Sequence, residues 1–187
     1  MLYCIVGETS RGKDTFANYL KEKYGLKAVC SYTTRMPRIG EAQGVEHHFI
    51  SKMEAQIILD YKQGEIAAYT EIGNIQYFAL TDDLKSADIY IIDPRGIEYL
   101  KEKYKDSLDL CVIYITCPEM ICRQRALKRG DLSDVLDKRI KDESLQFKTF
   151  ADNKGYDYRY DNTGTLDELY AFADKVMEET GKTKNSN

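Results

Sequence analysis

The chain has no surplus of positive charge: 27 Lys and Arg face 31 Asp and Glu, for a formal net charge of -4. Such a balance gives no general attraction to nucleic acid or acidic membranes, so any anion site must be locally basic. No apolar run approaches the roughly 20 residues that cross a bilayer. The opening Met1-Leu2-Tyr3-Cys4-Ile5-Val6 has neither a basic leader nor a small-residue cleavage site. These absences predict a cytoplasmic protein without nucleic-acid or membrane partners. Cys4, Cys30, Cys111, Cys117 and Cys122 show no CxxC spacing, and four of them sit in apolar stretches, so they read as reduced structural thiols. Histidine is scarce. His47 and His48 are the only two, and neighbours on an extended segment point to opposite sides, which argues against a metal pair. Internal repeats and low-complexity blocks are also missing.

A length of 187 residues with 43% hydrophobic content suits one compact α/β domain. Residues 2–6 read as a buried strand, and residues 14–24 as a helix with Phe16, Tyr19, Leu20 and Tyr24 on one face. Apolar, β-rich runs recur at 26–30, 89–92 and 110–116, each followed by a polar segment capable of forming a helix. That alternation predicts a parallel sheet with helices on both faces. Residues 65–80 read instead as a small β-hairpin turning at Gly73-Asn74. Residues 118–150 are charged and helical with a break at Gly130-Asp131, and a last helix spans about 166–179. The tail from Gly181 is expected to be disordered.

Gly7-Glu8-Thr9-Ser10-Arg11-Gly12-Lys13 fits G-x-x-x-x-G-K between a strand and a helix. Its glycines let successive backbone N–H groups turn inward to cradle phosphate, and Lys13 reaches the β- and γ-phosphates. Asp14 stands where the full motif has a Mg²⁺-binding hydroxyl, which appears one place later at Thr15. Either Asp14 contacts the metal, directly or through water, or it is an acidic first-turn residue favoured by the helix dipole. A second basic stretch, Ser31-Tyr32-Thr33-Thr34-Arg35-Met36-Pro37-Arg38-Ile39-Gly40-Glu41, sets two arginines three residues apart, a pattern suited to bidentate phosphate binding.

Residues 31–49 resemble the guanylate kinase signature. The resemblance continues through Ile92-Asp93-Pro94-Arg95-Gly96, through Arg125-Ala126-Leu127-Lys128-Arg129-Gly130 with Arg139 as third lid arginine, and through Tyr156-Asp157-Tyr158 followed by Asn162. It implies a P-loop three-layer α/β fold comprising a single domain. The core would take about 1–32, 81–117 and 151–180, a β-hairpin insert for the nucleoside monophosphate about 33–80, and a helical lid about 118–150, with residues 181–187 disordered. It implies an ATP- and Mg²⁺-dependent phosphotransferase acting on GMP or dGMP, as a monomer or homodimer. Lys13, Arg35, Arg125, Arg129 and Arg139 would be catalytic. Gly7, Thr9, Ser10, Arg11, Gly12, Lys13, Asp14, Thr15 and Asn162 would bind ATP, Asn162 on the adenine side. Ser31, Arg35, Arg38, His47, Tyr69, Tyr77 and Asp93 would bind the acceptor, and Asp14, Thr15 and Asp93 would lie nearest the metal.

The base pocket departs from the family. The Glu that reads guanine falls at Ala67 or Ala68, and the hydroxyl two residues past the hairpin Tyr falls at Ala79. Glu65, Tyr69 and Glu71 are nearby substitutes, with Tyr69 and Glu71 on one strand face. Base choice is thus left open. The alternatives are a kinase for another nucleoside monophosphate or for a phosphorylated sugar such as ribose bisphosphate, and a non-catalytic guanylate-kinase-like binding module.

Overall fold

The computed structural model describes residues 1–182. Strand β1 (Leu2–Val6) lies inside a parallel sheet, between β6 (Ile89–Ile91) and β7 (Leu110–Thr116), and β8 (Tyr158–Asp161) closes the far edge in the order β6-β1-β7-β8. Alternation along these strands builds two cores. Leu2, Cys4 and Val6 of β1 and Val112 and Tyr114 of β7 face one side, packing with Ile97 and Leu100 of α4 (Pro94–Tyr104) and with Phe147 and Phe150 of α6 (Ser133–Asp152). Tyr3, Ile5, Cys111, Ile113 and Ile115 face the other, against α1 (Lys13–Tyr24) and α7 (Leu166–Glu179). The expected three layers follow directly from this pleat.

The run at 26–30 does not form a strand. Only Ala28 bridges to Ile89, because this edge segment leaves the sheet at Cys30 and Ser31 to enter a second one. That second sheet has the order β3-β2-β5-β4, built from β2 (Tyr32–Thr33), β3 (His48–Phe49), β4 (Ile66–Ile72) and β5 (Ile75–Leu80). The insert is therefore more than the expected small hairpin. It also carries α2 (Lys52–Tyr61), started by a capping box between Ser51 and Glu54. Within the hairpin the register shifts between Ile66 and Ala68, which leaves Ala67 as a bulge.

The helical segment is α5 (Glu119–Arg129), stopped by Gly130 in the left-handed region at φ 94°, followed by α6. Phe147 and Phe150 root α6 in the core while Glu143, midway along it, reaches the first loop of the chain. After the last helix, Lys182 N–H donates to Met177 O at 2.9 Å beside Gly181 at φ 75°. The rest of the tail expected to be disordered, 183–187, lies outside the described residues. All five cysteines are free thiols.

Candidate active site

The loop after β1 is shaped by what it must avoid. A Cβ on Gly7 would stand 2.4 Å from Ile115 O of the neighbouring strand, and Gly12 sits at φ 98°, where a Cβ would meet Asn162 Nδ2 at 2.4 Å. Gly12 is the N-cap of α1 and supplies no side-chain cap, so the first amides of that helix stay open to an anion. Gly7, Thr9, Ser10, Lys13 and Asp14 line a cleft between the loop, the second sheet and α6. Across it stand Ser31, Arg35, Arg38, His47, Tyr69, Tyr77 and Asp93, and Arg129 and Arg139 reach in from the helical segment. Five cations on a chain of net charge -4 thus share one cleft.

Most of these cations hold internal oxygens. Arg35 pairs with Glu41 through both nitrogens at 2.9 Å each, and Glu41 also accepts the Arg38 N–H at 2.6 Å. Burial pulls the Glu41 carboxyl up, but Arg35 and the Arg38 N–H outweigh it and hold the pKa at about 2. The Arg38 guanidinium is only loosely held, 3.7 Å from Glu41 and 3.8 Å from Asp131. Lys13 Nζ donates to Glu8 O at 2.8 Å, and burial pushes its pKa down. Arg129 donates to Ser10 Oγ at 3.1 Å, linking α5 to the loop. His47 shares a 2.9 Å hydrogen bond with Ser31 Oγ. Burial and the charge of Arg35 lower its pKa, which favours the neutral ring.

Glu143 was invisible as a site residue in the sequence. It lies four residues after Arg139, the spacing of an ordinary surface ion pair, yet it is only 3% exposed. One carboxylate oxygen accepts Arg139 Nε at 2.7 Å and the other accepts the Thr9 N–H at 2.8 Å. An amide of the phosphate-type loop therefore holds a carboxylate from α6.

Several side chains expected in the cleft turn away from it. Arg11 is buried between Glu8, at 2.7 Å, and Cys122 Sγ, at 3.0 Å, so only its backbone remains with the loop. Asn162, expected on the adenine side, is buried and donates its amide to Arg11 O at 2.8 Å; it braces the loop. Arg125 donates to Asn162 O at 3.1 Å and lies near Cys117 Sγ, behind the loop instead of over the cleft. Thr15 does not line the cleft, whereas Asp14 does. Among the proposed base readers, Glu65 sits on a short 3-10 turn beside Lys62, and Glu71 is exposed and accepts from Tyr69 at 3.3 Å. Of the two, neither lines the cleft. Ala68 does line it, while Ala67 and Ala79 are buried in the core.

A glycine-turned loop from a central parallel strand into a helix, facing an arginine pair in the loop after β2 of a separate sheet, defines the class: this is a P-loop phosphotransferase. The chain belongs to the guanylate kinase family, whose model matches residues 1–180. A guanylate kinase of Geobacter metallireducens is 28% identical over 165 residues, covering 84% of this chain and 78% of that one. A guanylate kinase of Helicobacter pylori is 31% identical over 148 residues, covering 74% and 69%. The crystal structure of guanylate kinase from Anaplasma phagocytophilum superposes with a TM-score of 0.68 at 21% identity, covering 99% of this chain and 87% of that one, a likeness in fold. Neither a sugar-phosphate kinase nor a binding module is favoured by these relatives. No helix among the described residues is long and apolar enough to cross a membrane.

Proposed function

We propose that this protein transfers the γ-phosphoryl group of ATP to GMP, and to dGMP as a second acceptor. The observation that carries the reading is that Lys13 with its loop and the Arg35/Arg38 pair line the same cleft, on a chain of the guanylate kinase family. Phosphoryl transfer asks for in-line placement of two anionic molecules and for cations where charge develops, with no covalent nucleophile from the protein. Lys13 and the loop amides take the β- and γ-phosphates. Arg38 and Arg35 take the phosphate of the acceptor, Arg35 pre-oriented by Glu41. Ser31, neutral His47 and Tyr77 flank that phosphate as hydrogen-bonding groups. Arg129 and Arg139 come from the helices that cover the loop, where closure keeps water from the transferring group.

Mg²⁺ fits the residues present. No group of three or more His, Cys, Asp or Glu among the described residues forms a metal site by itself. Mg²⁺ in such enzymes is held by one or two carboxylates together with phosphates and water. Asp14, which lines the cleft at the mouth of the loop, is the residue that would take it, and the ion would supply charge neutralisation for the transferring phosphates. The protein acts as a monomer or homodimer on small nucleotides in the cytoplasm.

The test is ADP formation from ATP and Mg²⁺ with GMP, dGMP, IMP, AMP, CMP, UMP or dTMP in separate reactions. GMP is expected to give the highest kcat/KM. If no acceptor raises ADP formation above ATP alone, the proposal fails.

A further inference from the structure

Residues two apart on a strand share a face, and Ala68, Thr70 and Ile72 of β4 all line the cleft. Ala68 brings no polar group to it. Thr70 does. It is 6% exposed, and its hydroxyl oxygen is buried, with the Asp93 carboxylate as the group its O–H acts on and no donor at its lone pairs. Buried polar atoms in folded proteins are nearly always paired, so an acceptor lone pair left without a donor on a cleft wall suits a donor that arrives with a ligand. The neighbouring group is the Asp93 carboxylate at the start of α4. Asp93 Oδ1 accepts the Gly96 N–H at 3.0 Å as helix N-cap, which fixes the side chain and leaves its second oxygen as an acceptor. Thr70 sits on strand β4, and Asp93 is the N-cap residue that joins β6 to α4.

Resting on the reading that the acceptor is a nucleoside monophosphate, we propose that Thr70 joins Asp93, already expected at the acceptor, in reading its base and so selects guanine. With the Thr70 O–H turned toward the carboxylate, a hydroxyl lone pair and the second Asp93 oxygen stand side by side as two acceptors. The pairing edge of guanine offers two adjacent donors, N1–H and the 2-amino group. Hypoxanthine offers only N1–H there, adenine an acceptor at N1, and uracil or thymine one N–H between two carbonyls. The match is to guanine alone. Burial pushes the Asp93 carboxyl up, while the Gly96 N–H and the Thr70 hydroxyl act to lower it, in keeping with a hydroxyl that points at the carboxylate. Two acceptors that one Glu side chain would otherwise supply thus come from a strand and a helix N-terminus.

The experiment compares the wild-type protein with Thr70→Val, which keeps the shape and removes the hydroxyl, and Thr70→Ser, which restores it. Steady-state kcat/KM is measured for GMP, IMP and AMP at saturating ATP and Mg²⁺, with KM for ATP as a control. Thr70→Val is expected to lower kcat/KM for GMP roughly 10- to 100-fold, with KM for ATP unchanged and Thr70→Ser within about threefold of wild type. Wild type is expected to prefer GMP over IMP by at least about tenfold. Wild-type activity with a Thr70→Val value within about twofold for GMP overturns this assignment and leaves the kinase activity standing. Equal use of IMP and GMP by wild type overturns it without any variant having to fold. A wild-type protein inert toward every nucleoside monophosphate removes the activity first, and the assignment with it.

Discussion

Glu143→Gln is the perturbation that most directly probes how the loop is held before nucleotide arrives. The carboxylate is 3% exposed and accepts two hydrogen bonds, from Thr9 N–H at 2.8 Å and from Arg139 Nε at 2.7 Å. Hydrogen bonds to charged groups contribute about 1.5–3 kcal/mol, against about 0.5–1.5 kcal/mol between neutral groups. An amide keeps a single acceptor oxygen, so its NH₂ must face one of the two donors. One bond is then lost and the other becomes neutral on one side, a cost of about 2–3 kcal/mol to the nucleotide-free protein. In a chain of this length that is a fall in Tm of roughly 4–12 °C. A phosphate that takes the Thr9 N–H must first displace Glu143. The same variant therefore binds ATP more tightly, by about 10- to 100-fold if most of the lost energy is recovered on binding. Calorimetric titration with ATP and thermal unfolding with and without ATP read both numbers. If Glu143→Gln lowers Tm but binds ATP no better than wild type, the carboxylate and the phosphate do not compete for the loop.

Lys13→Met removes the loop cation without changing the fold and is expected to lower kcat by at least about 100-fold with Tm nearly unchanged; residual activity above a tenth of wild type would remove Lys13 from the transfer step. Arg38→Ala, the loosely held member of the pair, is expected to raise KM for GMP by about 10-fold or more while leaving KM for ATP within about twofold, as initial-rate kinetics would show. Gly12→Ala forces a Cβ to within 2.4 Å of Asn162 Nδ2 at φ 98° and is expected to lower Tm and nucleotide affinity together, whereas Gly64→Ala, where nothing stands within 4 Å and the backbone is not left-handed, leaves nucleotide affinity alone. Glu41 titrates at about 2 in the folded protein against 4.5 ordinarily, so its stabilisation is complete above about pH 5 and is lost as pH falls toward 2. Urea unfolding of Glu41→Gln should accordingly match wild type more closely at pH 3 than at pH 7.

Where local chemistry decides the structure, the sequence was legible. The last helix begins where Thr165 caps it with Glu168 and runs over Leu166–Glu179 as expected, and the hairpin turns at Gly73-Asn74. The capping box at Ser51 and Glu54 is an equally local signal for α2, a helix that the apolar runs do not mark. The strand expected at 26–30 failed because apolar composition does not tell an edge segment leaving a sheet from one that stays. In the site, backbone-defined parts were legible: the glycines, Lys13 and the arginine pair. Side-chain direction was not. Arg11, Asn162 and Arg125 all carry the residue types of a nucleotide site, yet they support the loop from behind, and whether a side chain faces a cleft or its wall is set by tertiary packing.

The pairing of the cleft's cations bears on how substrate choice divides between phosphate and base. Arg35 is held by Glu41, Arg139 by Glu143, Arg129 by Asp131, and Lys13 by a backbone carbonyl. Five like charges would repel each other in a half-buried cleft, and these oxygens let the fold tolerate them on an acidic chain. A nucleotide phosphate arriving there exchanges one set of anions for another, so much of its Coulombic attraction is offset by contacts given up. Every nucleoside monophosphate carries the same phosphate and makes the same exchange. Selection among them must therefore come from the opposite wall, where Ala68 and Ile72 are silent toward hydrogen bonding and Thr70 and Asp93, beside the hydroxyls of Tyr69 and Tyr90, carry polar atoms. A site can be rich in charge and still have its specificity rest on a single hydroxyl and one carboxylate oxygen, because only those groups meet the part of the ligand that varies.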